Sequence, residues 1–265
     1  MPFADADGVR IYYEVHGEGP AVVLIHGSGG HHAAWWQQTP SLRRAYSVVT
    51  LDLRGFGNSD SDLDEFDTLE FPRDIVAVLD DAGLERAALV GQSIGASAAL
   101  KVGVRHPDRI TGVVLAHSLG GIDHDELAAL VRADRVRAEE LPVLDRLMSK
   151  RFQTEHPELT FLFRQMGTFN AAKMADLRNL TAGGPTLDQV AGAGVPICFL
   201  AGEHDAVLSP ATVRRAHELL PGSLLDVVPG APHSMYWERP DLFNRALERF
   251  LETIYVAEAV ATGGE

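Results

Sequence analysis

The sequence predicts an α/β protein with a mostly parallel, twisted sheet and helices on both of its faces. Short apolar runs, such as residues 21–25 and 112–116, alternate with stretches of helical spacing. A short continuous apolar run is typical of a strand that is buried on both faces. Strands that alternate with helices favour a parallel sheet. The 265 residues are enough for one large domain of this class or for two small ones.

The predicted strands are apolar or alternating runs that end at turn signals. They lie at residues 9–15, 21–25, 47–53, 87–90, 112–116, 196–201 and 224–228. The first alternates apolar and polar residues after a turn signal at residues 5–8, which predicts an antiparallel strand. A helix is predicted at residues 73–81 and a closing amphipathic helix at 242–254. We expect the small, polar tail at residues 257–265 to fray.

The pattern changes between residues 120 and 194. Strand-like runs vanish there, helical spacing replaces them, and glycine-rich pairs bound the stretch on both sides. We therefore expect residues 120–194 to form a helical lid inserted between two strands of the sheet. Residues 1–119 and 195–265 are then expected to form the core domain.

A serine, an acid and a histidine each follow a different predicted strand. They are Ser93, Asp205 and His233, in this chain order. Ligands of parallel α/β sheets bind outside the carboxyl ends of the strands, so we expect the three side chains at one edge of the sheet. A serine hydroxyl needs a base to become nucleophilic, histidine can be that base, and an acid can orient the imidazole.

The segment Gly91-Gln92-Ser93-Ile94-Gly95 lies between a predicted strand and a helix of small residues. This arrangement predicts a nucleophile elbow, a turn so tight that the residues two positions from the serine must be small. The amide of Ile94, at the start of the helix, is the expected first donor to an oxyanion. The expected second donor is the amide of Ser28, with Gly29 as the alternative.

These motifs together resemble the α/β-hydrolase-fold serine hydrolases, in the branch of esterases, enol-lactonases and meta-cleavage hydrolases. The resemblance covers nearly the whole chain and rests on residues 26–27 with Trp35-Trp36, 52–59, 91–95, 202–205 and 230–233. It implies the α/β-hydrolase fold with a lid after the sixth strand. It also implies that Ser93 is the nucleophile, His233 the general base and Asp205 the orienting acid. Within the resemblance, Asp52 braces a turn and His26 orders the oxyanion loop.

Some of these assignments have alternatives in the sequence. Glu203 and Asp123 are rivals of Asp205 for the role of the acid. The adjacent pair His31-His32 has no carboxylate partner in the sequence, so no metal site and no cofactor are expected.

The lid is expected to supply apolar residues to an acyl or alcohol pocket. The predicted substrate-binding residues are Trp36, Gln92, His117, Leu119, Leu144, Met148, Phe161, Met166, Val207 and Met235. Because no cluster of Arg or Lys marks a phosphate or polycarboxylate site, the expected substrate is a small-to-medium, mostly apolar carboxylic ester or lactone. One alternative is a carbon–carbon bond hydrolase of meta-cleavage type, with Arg146, Arg151 or Arg164 binding a carboxylate. Another is a ligand receptor that retains the triad.

Bulk composition argues against other classes of protein. The formal net charge of −14 disfavours nucleic acid and anionic membranes as partners. The N-terminus lacks the basic and apolar regions of a secretory signal, and no apolar run approaches the ~20 residues that span a bilayer. The single cysteine, Cys198, lies in an apolar run and predicts a core residue. We expect a cytoplasmic monomer or homodimer.

Overall fold

The computed structural model describes residues 2–64, 66–180 and 182–262. Eight strands of these residues form one sheet in the order β1-β2-β4-β3-β5-β6-β7-β8. The strands are β1 (Phe3–Ala6), β2 (Val9–His16), β3 (Ala21–Ile25), β4 (Ser47–Leu51), β5 (Ala87–Gln92), β6 (Ile110–Ala116), β7 (Ile197–Gly202) and β8 (Leu224–Val228). β2 pairs antiparallel with β1 and β4, whereas the six strands from β3 to β8 run parallel to one another.

Helices lie on both faces of this sheet. They are α1 (Thr39–Leu42), α2 (Phe71–Asp81), α3 (Ile94–Arg105), α4 (Asp125–Glu139), α5 (Val143–Leu147), α6 (Lys150–Glu155), α7 (Pro157–Met166), α8 (Leu187–Ala193), α9 (Pro210–Leu219), α10 (Met235–Glu238) and α11 (Pro240–Thr262). Apolar residues of α2, α3 and α9 pack in the core on one face, and those of α1, α10 and α11 pack in the core on the other.

Strand β3 shows why the apolar runs are continuous. All five of its residues are buried. Val23 and Ile25 join the core on one face, whereas Val22 and Leu24 join the core on the other, as the two-residue period of a strand requires. The prediction of a sheet covered on both faces is confirmed.

The two ends of the chain differ from the predictions. The residues read as a turn signal at 5–8 begin within a strand, because β1 pairs with β2 and only Asp7 and Gly8 form the turn. Both turn residues have positive φ, as a two-residue hairpin of this hand needs. At the other end, α11 continues to Thr262, so residues 257–262 are helical where a frayed tail was predicted. Residues 263–265 lie outside the described residues.

The helices α4 to α8 follow β6 and precede β7, in agreement with the change of pattern at residues 120–194. Gly120 and Gly121, both at positive φ, turn the chain out of the sheet, and Gly194 ends α8 in the left-handed region. An isolated bridge between Asp123 and Thr186 joins the two ends of this segment. We call residues 120–194 the inter-strand segment. Within the described ranges, no helix has the length and apolar character needed to span a membrane.

Candidate active site

The turn between β5 and α3 holds Ser93 in a strained conformation. Ser93 has φ 52° and ψ −112°, which non-glycine residues rarely adopt and which costs on the order of 1–3 kcal/mol. A Cβ at Gly91 would lie 2.4 Å from the Cα of Ala96, and one at Gly95 would lie 2.6 Å from the carbonyl oxygen of Ile25. Backbone atoms therefore exclude any side chain at both positions, as the predicted elbow requires.

In this conformation the Ser93 hydroxyl does not cap the helix that follows it. The amide of Ser93 donates to the carbonyl of Ala116 on β6 over 2.9 Å, which fixes the turn to the sheet. Among the described residues of α3, none has an amide capped by the serine side chain. Because the first amides of a helix have no partner within it, Ile94 presents its N–H next to this hydroxyl.

Asp205 lies in the loop after β7 and is buried. Its Oδ1 accepts hydrogen bonds from the amides of Val207 and Leu208 at 2.8 and 2.9 Å. The Nδ1 atom of His233 lies 2.9 Å from Oδ2. Burial alone would raise the pKa of Asp205, but the charge of His233 and the hydrogen bonds from His117 and His233 hold it well below its ordinary value. Asp205 is therefore an ionised acceptor.

His233 follows β8 and is also buried. Because its Nδ1 donates to an ionised carboxylate, the neutral ring carries its lone pair on Nε2. That is the tautomer in which an imidazole can accept a proton from a hydroxyl. β5, β7 and β8 are parallel, so the residues that follow them, Ser93, Asp205 and His233, lie at the same edge of the sheet.

A second histidine shares the Asp205 carboxylate. The Nδ1 atom of His117 lies 2.9 Å from Oδ2, and the His117 and His233 rings meet edge to face with centroids 5.3 Å apart. His117 is fully buried at φ 56°, and its Nε2 has no hydrogen-bond partner among the described residues. The sequence predicts His117 as a substrate-binding residue, which stays a prediction, and its side-chain hydrogen bond in the structure is with the acid.

The loop after β3 is held by His26. The Nδ1 atom of His26 donates to the carbonyl of Gly27 over 2.8 Å, and Nε2 accepts from the amide of Leu53 over 3.1 Å. Burial lowers the pKa of His26 to about 4. A neutral ring with both nitrogens hydrogen-bonded holds the loop in place and has no free lone pair to accept a proton. This agrees with the role that the resemblance implies for His26.

The same loop lies directly against the elbow. A Cβ at Gly27 would lie 3.4 Å from the Cβ of Ser93 and would overlap the Oε1 atom of Gln92. Ser28 comes next in the chain and is half-buried, whereas Gly29 is exposed. The side chain of Gln92 therefore lies against Gly27 of this loop, and its predicted role in substrate binding stays a prediction.

Comparison with known proteins identifies the family of the fold. Residues 20–142 match the sequence profile of the alpha/beta hydrolase fold. The chain is 30% identical over 270 residues to a protein of Caulobacter sp. (strain K31) provisionally named carbamate hydrolase RutD, and the match covers 95% of this chain and 98% of that protein. The chain belongs to the α/β-hydrolase fold family.

Solved α/β hydrolases have the same fold. A thermophilic esterase from Thermogutta terrifontis superposes with a TM-score of 0.80 at 24% identity, covering 96% of this chain and 98% of the esterase. An enzyme described as degrading N-acyl homoserine lactones superposes with a TM-score of 0.76 at 28% identity, covering 94% of this chain and all of that one. An enol-lactonase from Burkholderia xenovorans LB400 gives 0.78 at 24% identity, over 95% of this chain and 100% of that one.

The other predicted substrate-binding residues of this α/β hydrolase fall into three groups. Those that are buried are Leu119, Met148, Met166 and Met235. Leu144 and Val207 are half-buried, and the amide of Val207 is engaged by Asp205. Trp36 and Phe161 are exposed, Phe161 to 65%. Met166 is the buried residue of α7, whereas Phe161 on the same helix is exposed, and its place in a pocket wall stays a prediction.

One buried residue of the inter-strand segment was not anticipated. Asn170 donates from Nδ2 to the carbonyl of Gly30 over 3.0 Å and accepts at Oδ1 from the amide of Gly57 over 3.0 Å. It thus links the segment to the loop after β3 and to the turn after β4. Nothing in the local sequence distinguishes this asparagine from an exposed one, because its partners lie more than a hundred residues away.

The described residues include two groups whose side chains are close enough to hold a metal ion, His31, His32 with Asp52 and His117, Asp205 with His233. The sequence prediction that His31-His32 lacks a carboxylate partner is wrong, since the Nδ1 atom of His32 lies 2.8 Å from Asp52. In both groups, however, the carboxylate already accepts two backbone amides, together with one imidazole N–H at Asp52 and two at Asp205. The carboxylate oxygens of both groups therefore already have hydrogen-bond partners within the protein, and these hydrogen bonds explain why the side chains lie close together.

Two surface grooves lie outside the site. One of about 410 Å³ is lined by β1 and α2, including Asp5, Arg73 and Asp80. The other, of about 190 Å³, is lined by α3 and residues 183–185. Neither contains Ser93, Asp205 or His233, so the chemistry of the site gives no reason to place substrate in them.

Proposed function

We propose that this α/β hydrolase is a serine hydrolase that cleaves a small-to-medium, mostly apolar carboxylic ester or lactone. The observation that carries the proposal is the strained Ser93, whose hydroxyl caps no described amide of α3, at the sheet edge where Asp205 fixes the tautomer of His233. A strained nucleophile with an oriented base is the arrangement that acyl transfer needs.

The reaction proceeds through an acyl-enzyme. Ser93 Oγ attacks the carbonyl carbon while His233 Nε2 takes the hydroxyl proton, and the amides of Ile94 and Ser28 stabilise the oxyanion, with Gly29 as the alternative donor. His233 then gives the proton to the departing alkoxide. Water attacks the acyl-enzyme with His233 again as the base, and the carboxylic acid leaves as Ser93 regains its proton. Asp205 orients the ring throughout and stabilises the imidazolium.

Esters and lactones are preferred because of the apolar residues of the inter-strand segment and because of one relative. Apolar residues of the inter-strand segment, including Met148 and Met166, are buried in the core on one face of the sheet. The neighbour at 28% identity is described as a lactone-degrading enzyme. We propose that residues 120–194 form a lid domain over Ser93, with Asn170 fastening it to the oxyanion loop.

The alternative of carbon–carbon bond hydrolysis needs an arginine of the lid that is free to bind a carboxylate. Arg151 pairs with Glu155 and its side chain is 82% exposed. Arg146 donates to two backbone carbonyls of its own segment, and Arg164 is exposed. These positions disfavour the alternative.

The test is a substrate panel measured on the wild type and on Ser93→Ala. The panel contains p-nitrophenyl esters of increasing acyl length, an N-acyl homoserine lactone and a carbamate, the last because of the Caulobacter relative. Ser93→Ala is expected to lose about 10⁶-fold in kcat. Ser97→Ala, which removes a neighbouring hydroxyl that bonds to the Leu180 carbonyl, is the control and is expected to keep kcat within about threefold. Retained turnover in Ser93→Ala rejects the proposal, and preference for the carbamate changes the substrate class.

A further inference from the structure

We infer that His117 is a positioning residue of this site, which shares the Asp205 carboxylate with His233 and so limits how strongly that carboxylate stabilises the His233 imidazolium. The inference rests on the proposed function. It goes beyond that function because the proposed mechanism gives roles to Ser93, Asp205 and His233 but none to His117.

The order of the strands brings His117 and Asp205 together. His117 directly follows β6, Asp205 follows β7, and the two strands are neighbours. The amide of His117 donates to the carbonyl of Leu200 on β7 over 2.8 Å, which holds its backbone beside the acid loop. Its Nδ1 then reaches Oδ2 of Asp205 at 2.9 Å, the same oxygen and the same distance as the Nδ1 of His233.

The conformation of His117 is unfavourable by itself. The residue has φ 56°, and its buried Nε2 has no hydrogen-bond partner among the described residues. Both features destabilise the fold, and an asparagine would tolerate the same backbone with less strain. The bond to Asp205 is the polar contact that offsets them, so the role of the side chain lies at that carboxylate.

The electrostatic consequence follows from the number of donors on one carboxylate. Asp205 accepts from two backbone amides and from two imidazoles. Burial lowers the pKa of His117, so it donates as a neutral ring. Each neutral donor that stabilises the anion weakens its attraction for a proton on His233. Removing the His117 donor therefore strengthens the Asp205–imidazolium interaction and makes His233 harder to deprotonate.

Other charged groups near the acid loop are turned away or engaged. The side chains of Glu203 and His204, in the same loop, are largely exposed. Asp134 approaches from α4, where it accepts from the amide and hydroxyl of Ser209 and pairs with Arg137. Among the described residues, His117 and His233 are thus the ionisable side chains that bond to Asp205.

A matched pair of variants tests the inference. The Nδ2 atom of asparagine takes nearly the place of the histidine Nδ1, so His117→Asn keeps a donor and tolerates positive φ. His117→Leu has a similar shape without a donor. The measurement is kcat and KM for a p-nitrophenyl ester across pH 5 to 9, with circular dichroism to confirm folding.

His117→Leu is expected to move the acid limb of the kcat/KM profile upward by about half a pH unit, while kcat on the plateau and KM stay within about threefold of the wild type. His117→Asn, which keeps the donor, is expected to return the acid limb to within about 0.2 pH units of the wild type. If the leucine variant does not fold, His117→Gly, which relieves the backbone strain and also removes the donor, is expected to shift the acid limb in the same direction.

A second measurement does not depend on turnover. Proton NMR of the resting enzyme is expected to show two low-field imidazole N–H resonances, one lost in His117→Asn and both altered in Asp205→Asn. An unshifted acid limb in the variants without a donor, or a single such resonance in the wild type, overturns the role of His117. If Ser93→Ala is inactive while these results are negative, the proposed function stands and this inference alone fails.

Discussion

Two Asp–His pairs with a buried carboxylate lie at the same end of the sheet, and the hydrogen bonds to their carboxylates are similar. Asp52, after β4, accepts from the amides of His32 and Asn58 and from the Nδ1 of His32. Asp205, after β7, accepts from two amides and from the Nδ1 of His233. In both pairs, neighbouring charge and hydrogen bonds outweigh burial and lower the pKa of the aspartate.

The two pairs differ in what the other imidazole nitrogen meets. The Nε2 atom of His32 lies 3.9 Å from a carboxylate oxygen of Glu14. Burial alone would lower the pKa of His32, but Asp52 and Glu14 raise it above its ordinary value, so the fold favours the protonated ring. His233, by contrast, lies on the edge where the elbow presents Ser93. We therefore propose that the Asp205–His233 pair acts on the Ser93 hydroxyl, whereas the Asp52–His32 pair holds its loop in place.

The largest expected difference between the pairs is in kcat. Asp205→Asn is expected to lower kcat about 10⁴-fold, because the imidazole loses its tautomer and its charge partner. Asp52→Asn is expected to keep kcat within about tenfold and to reduce the free energy of unfolding by about 2–3 kcal/mol. Steady-state kinetics and urea unfolding on both variants measure this contrast. Equal losses of kcat would show that the two pairs do not differ in role.

The elbow is the feature that sets the Asp205 pair apart, and its glycines can be tested directly. Gly95→Ala is expected to cost roughly 3 kcal/mol in unfolding free energy, because the added Cβ would lie 2.6 and 2.7 Å from the carbonyl oxygens of Ile25 and His26. Gly192→Ala, in α8 with open space around it, is the control and is expected to be neutral or stabilising by about 0.5 kcal/mol. Equal stability of the two variants in urea would contradict the close packing of the elbow.

Asn170, like the Asp52–His32 pair, links the loop after β3 to the turn after β4. Asn170→Ala leaves the carbonyl of Gly30 and the amide of Gly57 without this partner and is expected to reduce the unfolding free energy by about 1–3 kcal/mol. Asn58→Ala, which removes an exposed amide in the same turn, is expected to change it by less than about 0.5 kcal/mol. Denaturant midpoints measure both, and an Asn170 variant as stable as the Asn58 variant would show that the link is unimportant.

The smallest expected effect is a pH dependence of the His32–Asp52 pair. The raised pKa of His32 gives stability that is complete below the pKa of an unfolded histidine, about 6.5, and is lost as pH rises through the folded value. The lowered pKa of Asp52 gives stability above about pH 4, which is lost on acidification. His32→Gln should therefore destabilise by about 1 kcal/mol more at pH 5.5 than at pH 9, measured by urea unfolding. The opposite trend would reject the ion pair.

The sequence predicted those elements whose residue pattern fits few other structures. Continuous apolar runs predicted the strands β3, β5, β6 and β7, since a strand that is buried on both faces needs an apolar residue at each position. The alternation of strands and helices and the elbow motif then predicted the sheet edge that carries Ser93, Asp205 and His233.

Contacts between distant residues could not be predicted in the same way. The bond from His117 to Asp205 joins residues 88 positions apart and depends on β6 and β7 being neighbours. The pairing of His32 with Asp52 likewise depends on β3 lying beside β4. The exposure of Phe161 could not be read from the sequence either, because two faces of the short helix α7 carry apolar residues.

The most direct test of the central claim is labelling by a fluorophosphonate, followed by intact mass and peptide mapping. An activated hydroxyl at the elbow predicts one adduct per chain, located on Ser93, and a labelling rate at least about 10³-fold lower in His233→Gln. An adduct on another residue, or a rate that does not fall when His233 is replaced, would contradict the claim that His233 activates Ser93.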